Sequence, residues 1–249
     1  MRALVIHHDH ITSPGAVGER LVDRGYDLVM HQVVEADRFG APDVETEFPP
    51  PTDFDVIVAM GAPWSAYDHV RIGSWVLPEL DLLRRADEGG VPVLGVCFGG
   101  QLLALAHGGA VAKSPAPELG WTEVVSDDET LVRSGPWFEW HYDRWQLPAA
   151  ATEIARNPQS SQAFVLGRNL AVQFHPEMTP TILAGWLDAG GAEDLADFKV
   201  DADTLLHETW DRDAENRIRA HRLVDGFLDR VATRSDTLIW QRTAAPAAG

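Results

Sequence analysis

The chain has 249 residues and a formal charge of −18 at pH 7, with 45% hydrophobic and 23% charged residues. Such a composition can fill a hydrophobic core and excludes intrinsic disorder for most of the chain. The acidic balance repels phosphate backbones, so we expect no nucleic-acid partner. The single cysteine excludes a disulfide-stapled scaffold and favours a reducing, cytoplasmic setting. Apolar runs are far shorter than the roughly 20 residues of a membrane helix, so we also expect no membrane partner.

The first 110 residues alternate between strand and helix patterns. Short β-branched runs predict strands at 2–7, 26–34, 55–60 and 91–96, and apolar or amphipathic segments predict helices at 17–24, 74–88 and 101–107. Alternation of this kind predicts an α/β fold, a flavodoxin-like, doubly wound and mostly parallel sheet. Active sites in such sheets lie beyond the carboxyl ends of the strands.

After Ala110 the pattern changes to short strands with few helices between them. They are predicted at 110–113, 121–125, 137–141, 153–156, 163–166 and 170–174, and indicate an antiparallel extension of the sheet. Thr179 followed by Pro180 marks a helix start, and 201–232 predicts one or two acidic surface helices. We therefore expect a domain at 1–190, a helical extension packed on it at 191–240, and a disordered tail at 241–249.

The segment Gly95-Val96-Cys97-Phe98-Gly99 ends a predicted buried strand and begins a helix. Glycines at this spacing are typical of a sharp turn that holds a nucleophile. At the amino end of a helix the dipole favours the Cys97 thiolate, and the N–H of Phe98 is free to bind an oxyanion. The alternative is that Cys97 is only a small buried hydrophobic residue.

A second motif, Gln173-Phe174-His175-Pro176-Glu177, lies at the end of predicted strand 170–174. A cysteine nucleophile needs a base within hydrogen-bond reach and a third group that orients this base. His175 can be the base and Glu177 its orienting group, with Pro176 stiffening the turn between them.

Together these motifs resemble the class I (triad-type) glutamine amidotransferases. The sequence GVCFGGQ at 95–101 is followed by HPE at 175–177, and MGAPWSAYD at 60–68 resembles the family's oxyanion loop. The likeness covers about residues 1–190 and is greatest to free-standing proteins related to the glutaminase domain of GMP synthase. The family usually has a second glycine where this chain has Ala62, and alanine there would be strained if the position needed a positive φ.

The resemblance also implies roles for individual residues. Cys97 would be the nucleophile, His175 the general base and acid, and Glu177 the group that orients His175. The substrate and its oxyanion would be bound by Gly61, Ala62, Phe98, Gln101, His141 and Asp143, the last two from a segment that lies over the substrate pocket in relatives.

No cofactor or metal is expected. The chain has neither a phosphate-binding GxxxxGK[ST] loop nor a GxGxxG after a strand. His7, His8, Asp9 and His10 are metal-ligand types, but consecutive residues of an extended segment point to opposite sides and cannot all converge.

The leading hypothesis is a cysteine-dependent amide hydrolase that acts on glutamine or a γ-glutamyl small molecule. The ammonia could pass to a separate synthetase subunit, since no synthetase domain is expected within this chain, or the protein could act alone on γ-glutamyl amines. The alternatives are an α/β-hydrolase-type esterase with a GxCxG turn and a catalytically weak binding subunit of the same fold. Chain order disfavours the esterase, because that fold places its carboxylate between nucleophile and histidine.

Overall fold

A computed structural model describes residues 1–234 as nine strands and six α-helices. The strands are β1 (Arg2–His7), β2 (Asp27–Gln32), β3 (Val56–Ala59), β4 (Val93–Val96), β5 (Ala110–Ser126), β6 (Gly135–Gln146), β7 (Thr152–Arg156), β8 (Ser161–Leu166) and β9 (Asn169–Val172). The helices are α1 (Gly15–Asp23), α2 (His69–Glu88), α3 (Phe98–Ala106), α4 (Pro180–Trp186), α5 (Ala192–Asp197) and α6 (Ala202–Gly226). Short 3-10 turns cover Ala36–Arg38 and Pro51–Asp53, and a π-helical turn covers Phe227–Val231. The chain kinks within Leu187–Gly191, where Gly190 has φ 109°.

One sheet joins these strands in the order β2-β1-β3-β4-β9-β8-β7-β5-β6. The first five in this order pair in parallel, and the remaining neighbours pair antiparallel. The predicted doubly wound, mostly parallel sheet with an antiparallel extension is thereby confirmed. The strand predicted at 170–174, however, was expected in the extension and is β9, which pairs in parallel with β4. Because β1, β3, β4 and β9 are parallel neighbours, their carboxyl ends meet at one edge of the sheet.

Alternate side chains of the parallel strands enter two different cores, as the pleat of a strand requires. Ala3 and Val5 join a cluster on the face covered by α1 and α6, whereas Leu4 and Ile6 join a cluster on the face covered by α2 and α3. Burial on both faces explains why these strands appear in the sequence as continuous apolar runs.

The two strands predicted at 110–113 and 121–125 are a single long strand, β5. Pro115 and Pro117 interrupt the sequence pattern, because proline lacks the N–H that a ladder needs. In the structure they lie where the register of β5 against β6 shifts, between Lys113 and Glu118. Both prolines therefore lie in an irregular part of the strand, and β5 continues on either side of it.

Three helices begin earlier than predicted, and α1 begins at Gly15 rather than at residue 17. Helix α2 begins at His69 rather than near residue 74, and α3 begins at Phe98, directly after Cys97. The predicted helix start at Thr179 is observed, since the Thr179 hydroxyl accepts a hydrogen bond from the N–H of Ile182 and Pro180 is the first helical residue.

The C-terminal segment packs against the amino-terminal helix. Helix α6 lies on α1, where Asp225 pairs with both Arg20 and Arg24, and its residues Leu223 and Val224 join the core. We propose residues 1–190 as the domain and α5 and α6 as its extension. The predicted tail at 241–249, with the end of the predicted extension, lies outside the described residues. Within residues 1–234 no helix is long and apolar enough to cross a membrane.

Candidate active site

Cys97 occupies a sharp turn between β4 and α3. Its backbone has φ 50° and ψ −105°, a region that a non-glycine residue adopts only when its surroundings enforce it. Glycines make the turn possible: a Cβ on Gly95 would lie 2.6 Å from the Gly99 oxygen, and one on Gly99 would lie 2.1 Å from the Ala59 oxygen. The close approach of β3 therefore holds the strained turn in place, with the thiol at the carboxyl end of the parallel strands.

Backbone hydrogen bonds tie this turn to the neighbouring strands. The N–H of Cys97 donates to the Val172 carbonyl at 2.8 Å, and the N–H of Gly99 donates to the Met60 carbonyl at 3.0 Å. Phe98 is the first residue of α3, so the helix provides no acceptor for its N–H. That N–H is available to a ligand next to the thiol.

The structure brings His175 and Glu177 together at the end of β9. Glu177 Oε1 accepts a hydrogen bond from Nδ1 of His175 at 2.8 Å, and both side chains are buried. Burial alone would lower the pKa of His175, but the charge of Glu177 and then that of the Cys97 thiolate raise it well above its ordinary value. Nε2 has no oxygen or nitrogen partner among the described residues, which leaves that side of the ring free for a proton transfer.

The loop after β3 lies against both groups. A Cβ on Gly61 would lie 3.1 Å from Cε1 of His175 and 3.9 Å from Cβ of Cys97. Ala62 follows in the same loop, and positive φ among described non-glycine residues occurs only at Cys97 and Lys199. Ala62 therefore does not have the positive φ that would strain an alanine at this position.

A chain of two amide side chains leads to the sulfur. Gln101 donates to the Asp143 carbonyl at 3.3 Å and to Oε1 of Gln173 at 3.4 Å, and Gln173 donates to Sγ of Cys97 at 3.5 Å. Gln173 belongs to the motif around His175, but the sequence alone gave no reason to assign it a role. Its amide gives the sulfur a buried hydrogen-bond donor.

His141 lies in the cavity wall between two buried carboxylates. Its Nε2 is 3.2 Å from Oε2 of Glu139 and 3.3 Å from Oε2 of Glu118. Burial opposes protonation, but the neighbouring carboxylates of Glu118 and Glu139 raise the pKa of His141 to about 10. These three side chains have the residue types of a metal site. The raised pKa means that His141 holds its proton more tightly than a free imidazole, which disfavours its binding to a metal.

Asp143 braces the loop that carries Gly61. Its Oδ2 accepts a hydrogen bond from Ser65 at 2.5 Å, and its Oδ1 accepts one from Tyr67 at 2.9 Å. Its backbone carbonyl accepts hydrogen bonds from Gln101 and from Nδ1 of His141. Asp143 is therefore part of the cavity wall, and both of its carboxylate oxygens accept hydrogen bonds from side chains of the protein.

A cavity of about 350 Å³ opens in front of Cys97, a size within the range of small-molecule sites. Cys97, His175, Phe98, Gly61, Ala62, Gln101, His141 and Asp143 all line it, whereas Glu177 lies behind His175. Trp140 and Trp186 form part of an aromatic wall. Among the described residues that line the cavity, none is a lysine or an arginine.

The consecutive residues His7 to His10 diverge. The backbone carbonyl of Asp9 accepts from Nδ1 of His7, its carboxylate accepts from the N–H groups of Ile11 and Thr12, and the ring of His10 packs on Phe39. His8 and Asp9 are both buried, and the position of His8 in the sequence did not reveal its contacts with Gly61 and Glu79.

Comparisons with known proteins identify the family of most of the chain. Residues 17–185 match the family model described as glutamine amidotransferase class-I. A glutamine-hydrolyzing GMP synthase of Aeropyrum pernix is 41% identical over 117 residues, which are 41% of this chain but only 23% of that protein. One subunit of the glutamine-hydrolyzing GMP synthase of Sulfurisphaera tokodaii is 34% identical over 140 residues, 52% of this chain and 70% of that protein.

Solved structures extend the likeness to nearly the whole chain. A glutamine amidotransferase of Methylobacillus flagellatus superposes with a TM-score of 0.80 at 27% identity, covering 92% of this chain and 94% of that one. One of Thermotoga maritima superposes with a TM-score of 0.78 at 23% identity, covering 94% and 99%, and shows the common fold. The chain belongs to the class I glutamine amidotransferase family.

Proposed function

We propose that this protein hydrolyses the γ-carboxamide of glutamine, or of a γ-glutamyl amine, through a thioester on Cys97. The observation that carries the proposal is the arrangement at the carboxyl ends of β3, β4 and β9. Cys97 stands on a strained turn, His175 is bound to Glu177 at 2.8 Å, and Gly61 lies against both Cys97 and His175.

The chemistry assigns one task to each group. The Cys97 thiolate attacks the γ-carbonyl carbon, and the N–H groups of Phe98 and Ala62 stabilise the oxyanion. When the carbon–nitrogen bond breaks, protonated His175 gives its Nε2 proton to the leaving nitrogen, and ammonia or an amine departs. His175 then takes a proton from water as this water attacks the thioester, which releases the γ-carboxylate and restores the thiolate. Glu177 keeps the ring oriented and stabilises its charged form.

The cavity supports γ-glutamyl amines as a second substrate class beside glutamine. Beyond Cys97 its wall continues with Trp140, Tyr142 and Trp186 and with the carboxylate of Asp194. An aromatic, acidic wall of this kind offers contacts to an organic amine that ammonia cannot make. For a protein that acts together with a partner, the proposal is that it hydrolyses glutamine and passes the ammonia to a separate synthetase subunit.

The test is to measure glutamate and amine release by the protein alone across glutamine and a panel of γ-glutamyl amines and peptides. Cys97→Ser is the paired control, because it changes one atom at the nucleophile. We expect release by the native protein and nearly none by the folded variant. Equal release by both proteins would remove the mechanism, and no covalent labelling of Cys97 by a glutamine-analogue chloroketone would favour a binding subunit.

A further inference from the structure

His8 is a fully buried histidine directly behind the loop that carries Gly61. Its Nδ1 lies 2.9 Å from the Gly61 carbonyl oxygen, and its Nε2 lies 3.0 Å from Oε2 of Glu79 on α2. Glu79 is also fully buried. The Gly61 carbonyl oxygen can only accept, so Nδ1 of His8 carries a proton, and with Glu79 as a carboxylate Nε2 carries one as well, which makes the ring an imidazolium. Burial opposes this charge, but the charge and hydrogen bond of Glu79 raise the pKa of His8.

The contact with Gly61 fixes the orientation of one peptide group. The Gly61 carbonyl and the Ala62 N–H belong to the same peptide, and none of the described peptide bonds is cis. In a trans peptide the C=O and N–H point in opposite directions. Gly61 and Ala62 line the cavity in front of Cys97, whereas His8 does not. A hydrogen bond from His8 on the inner side therefore directs the Ala62 N–H outward, to the cavity.

The same imidazole also contacts the residue that provides the other N–H. Its ring lies 4.8 Å from the ring of Phe98, edge to face, and 5.4 Å from that of Trp75. His8 thus touches both Gly61 and Phe98, which come from different strand ends.

We propose that the buried His8–Glu79 ion pair is a positioning device for the oxyanion hole. Protonated His8 holds the Gly61–Ala62 peptide with its N–H toward the substrate and, through its contact with Phe98, sets the spacing to the second donor. The inference rests on the proposed function, because it concerns the oxyanion of that reaction. The pair never touches substrate, so its effect is confined to the step in which negative charge develops on oxygen.

Two reagents separate this role from a structural one. A glutamine-analogue chloroketone reacts after Cys97 has added to a carbonyl, which creates an oxyanion, whereas iodoacetamide alkylates the thiolate by direct displacement without one. In His8→Gln the amide can reach Glu79 but not the Gly61 carbonyl. His8→Asn places its amide near the position of Nδ1 and can still donate to that carbonyl. Glu79→Gln removes the charge and keeps the size of the side chain.

We expect His8→Gln to lower kcat and the chloroketone rate by about 10- to 100-fold, less than the ~10²–10³ for outright removal of a donor. KM and the iodoacetamide rate should stay within about twofold of the native values. Glu79→Gln should show the same pattern to a smaller extent, and His8→Asn should recover part of the loss. The matched control is His107→Asn, because His107 pairs with Asp87 between α3 and α2, away from the cavity.

Equal losses with both reagents, or no loss with either, would overturn the proposal. Should the variants fail to fold, a crystal structure of the native protein alkylated by the chloroketone decides the matter. The proposal requires the adduct oxygen on the Ala62 and Phe98 N–H groups, with Nδ1 of His8 still on the Gly61 carbonyl. A flipped Gly61–Ala62 peptide would overturn it. A native protein that neither hydrolyses the substrates nor reacts with the chloroketone would instead overturn the proposed function and this inference with it.

Discussion

Replacing Glu177 by glutamine removes the negative charge that stabilises protonated His175. The two side chains are joined by a 2.8 Å hydrogen bond and are both buried, so solvent screens the interaction little. A hydrogen bond to a charged group contributes about 1.5–3 kcal/mol, and glutamine keeps only a neutral acceptor there. At 1.36 kcal/mol for each factor of ten, we expect kcat/KM to fall about 10- to 150-fold.

The assay compares native protein, Glu177→Gln and His175→Ala on the same γ-glutamyl substrate across a range of pH. His175→Ala removes the group that moves the proton and should lose several orders of magnitude in rate. In Glu177→Gln the alkaline limb of the profile should move to lower pH. Burial lowers the pKa of His175 and the Glu177 charge raises it, so without that charge the ring loses its proton earlier as pH rises.

A Glu177→Gln enzyme at the native rate would refute this reasoning, because it would show that no charge is needed at this position. An unchanged alkaline limb combined with a lower rate would also contradict it, since the loss would then come from a displaced turn. Circular dichroism and thermal unfolding of both variants serve as the control for folding.

Burial raises the pKa of Glu139 from 4.5 to about 7, so native stability should fall as pH rises through this window, because the folded state holds that proton more tightly. Glu139→Gln should remove the part of the fall between about pH 4.5 and 7 and leave the part above it, to which His141 contributes, as measured by urea unfolding across pH; an unchanged pH dependence below pH 7 would contradict this. Gly15→Ala should cost roughly 1–3 kcal/mol and reduce turnover, because its Cβ would lie 2.1 Å from the Glu177 carbonyl oxygen. Gly25→Ala, with a similarly positive φ but no atom within 4 Å of its Cβ, is the matched control and should leave turnover unchanged. Ala62→Gly should not raise kcat, because Ala62 has no positive φ to relieve; a severalfold faster variant would show hidden strain in that loop.

The parts of the fold that were predictable from sequence are those coded by local patterns. Strands β1, β3 and β4 are short apolar runs, and the glycines on either side of Cys97 mark the turn that follows β4. The glycine turn predicted Cys97 at the carboxyl edge of the parallel strands, whereas strand 170–174 was expected in the antiparallel extension and instead pairs in parallel with β4, which brings His175 to the same edge. The proximity of Cys97 and His175 follows from that topology together with two short motifs.

Contacts between distant segments could not be predicted in this way. The hydrogen bond from His8 to Gly61 spans 53 positions and the one from Ser65 to Asp143 spans 78. Side-chain periodicity reports only which face of an element is buried, not which polar partner it meets there. The sequence around His8 has metal-ligand residue types but predicted no metal site, and it did not reveal that His8 contacts the Gly61 carbonyl.

Helix α6 shows how a segment outside the matched family region contributes to the site. Asn216 of this helix is buried and donates to the carbonyls of Met178 at 2.9 Å and Pro176 at 3.4 Å, on either side of Glu177. From the opposite side, the N–H of Ala16 donates to the Glu177 carbonyl at 3.3 Å. The turn that positions His175 is thus held between α1 and α6. Since buried carbonyls without such donors cost free energy, docking of α6 and the geometry of this turn are coupled.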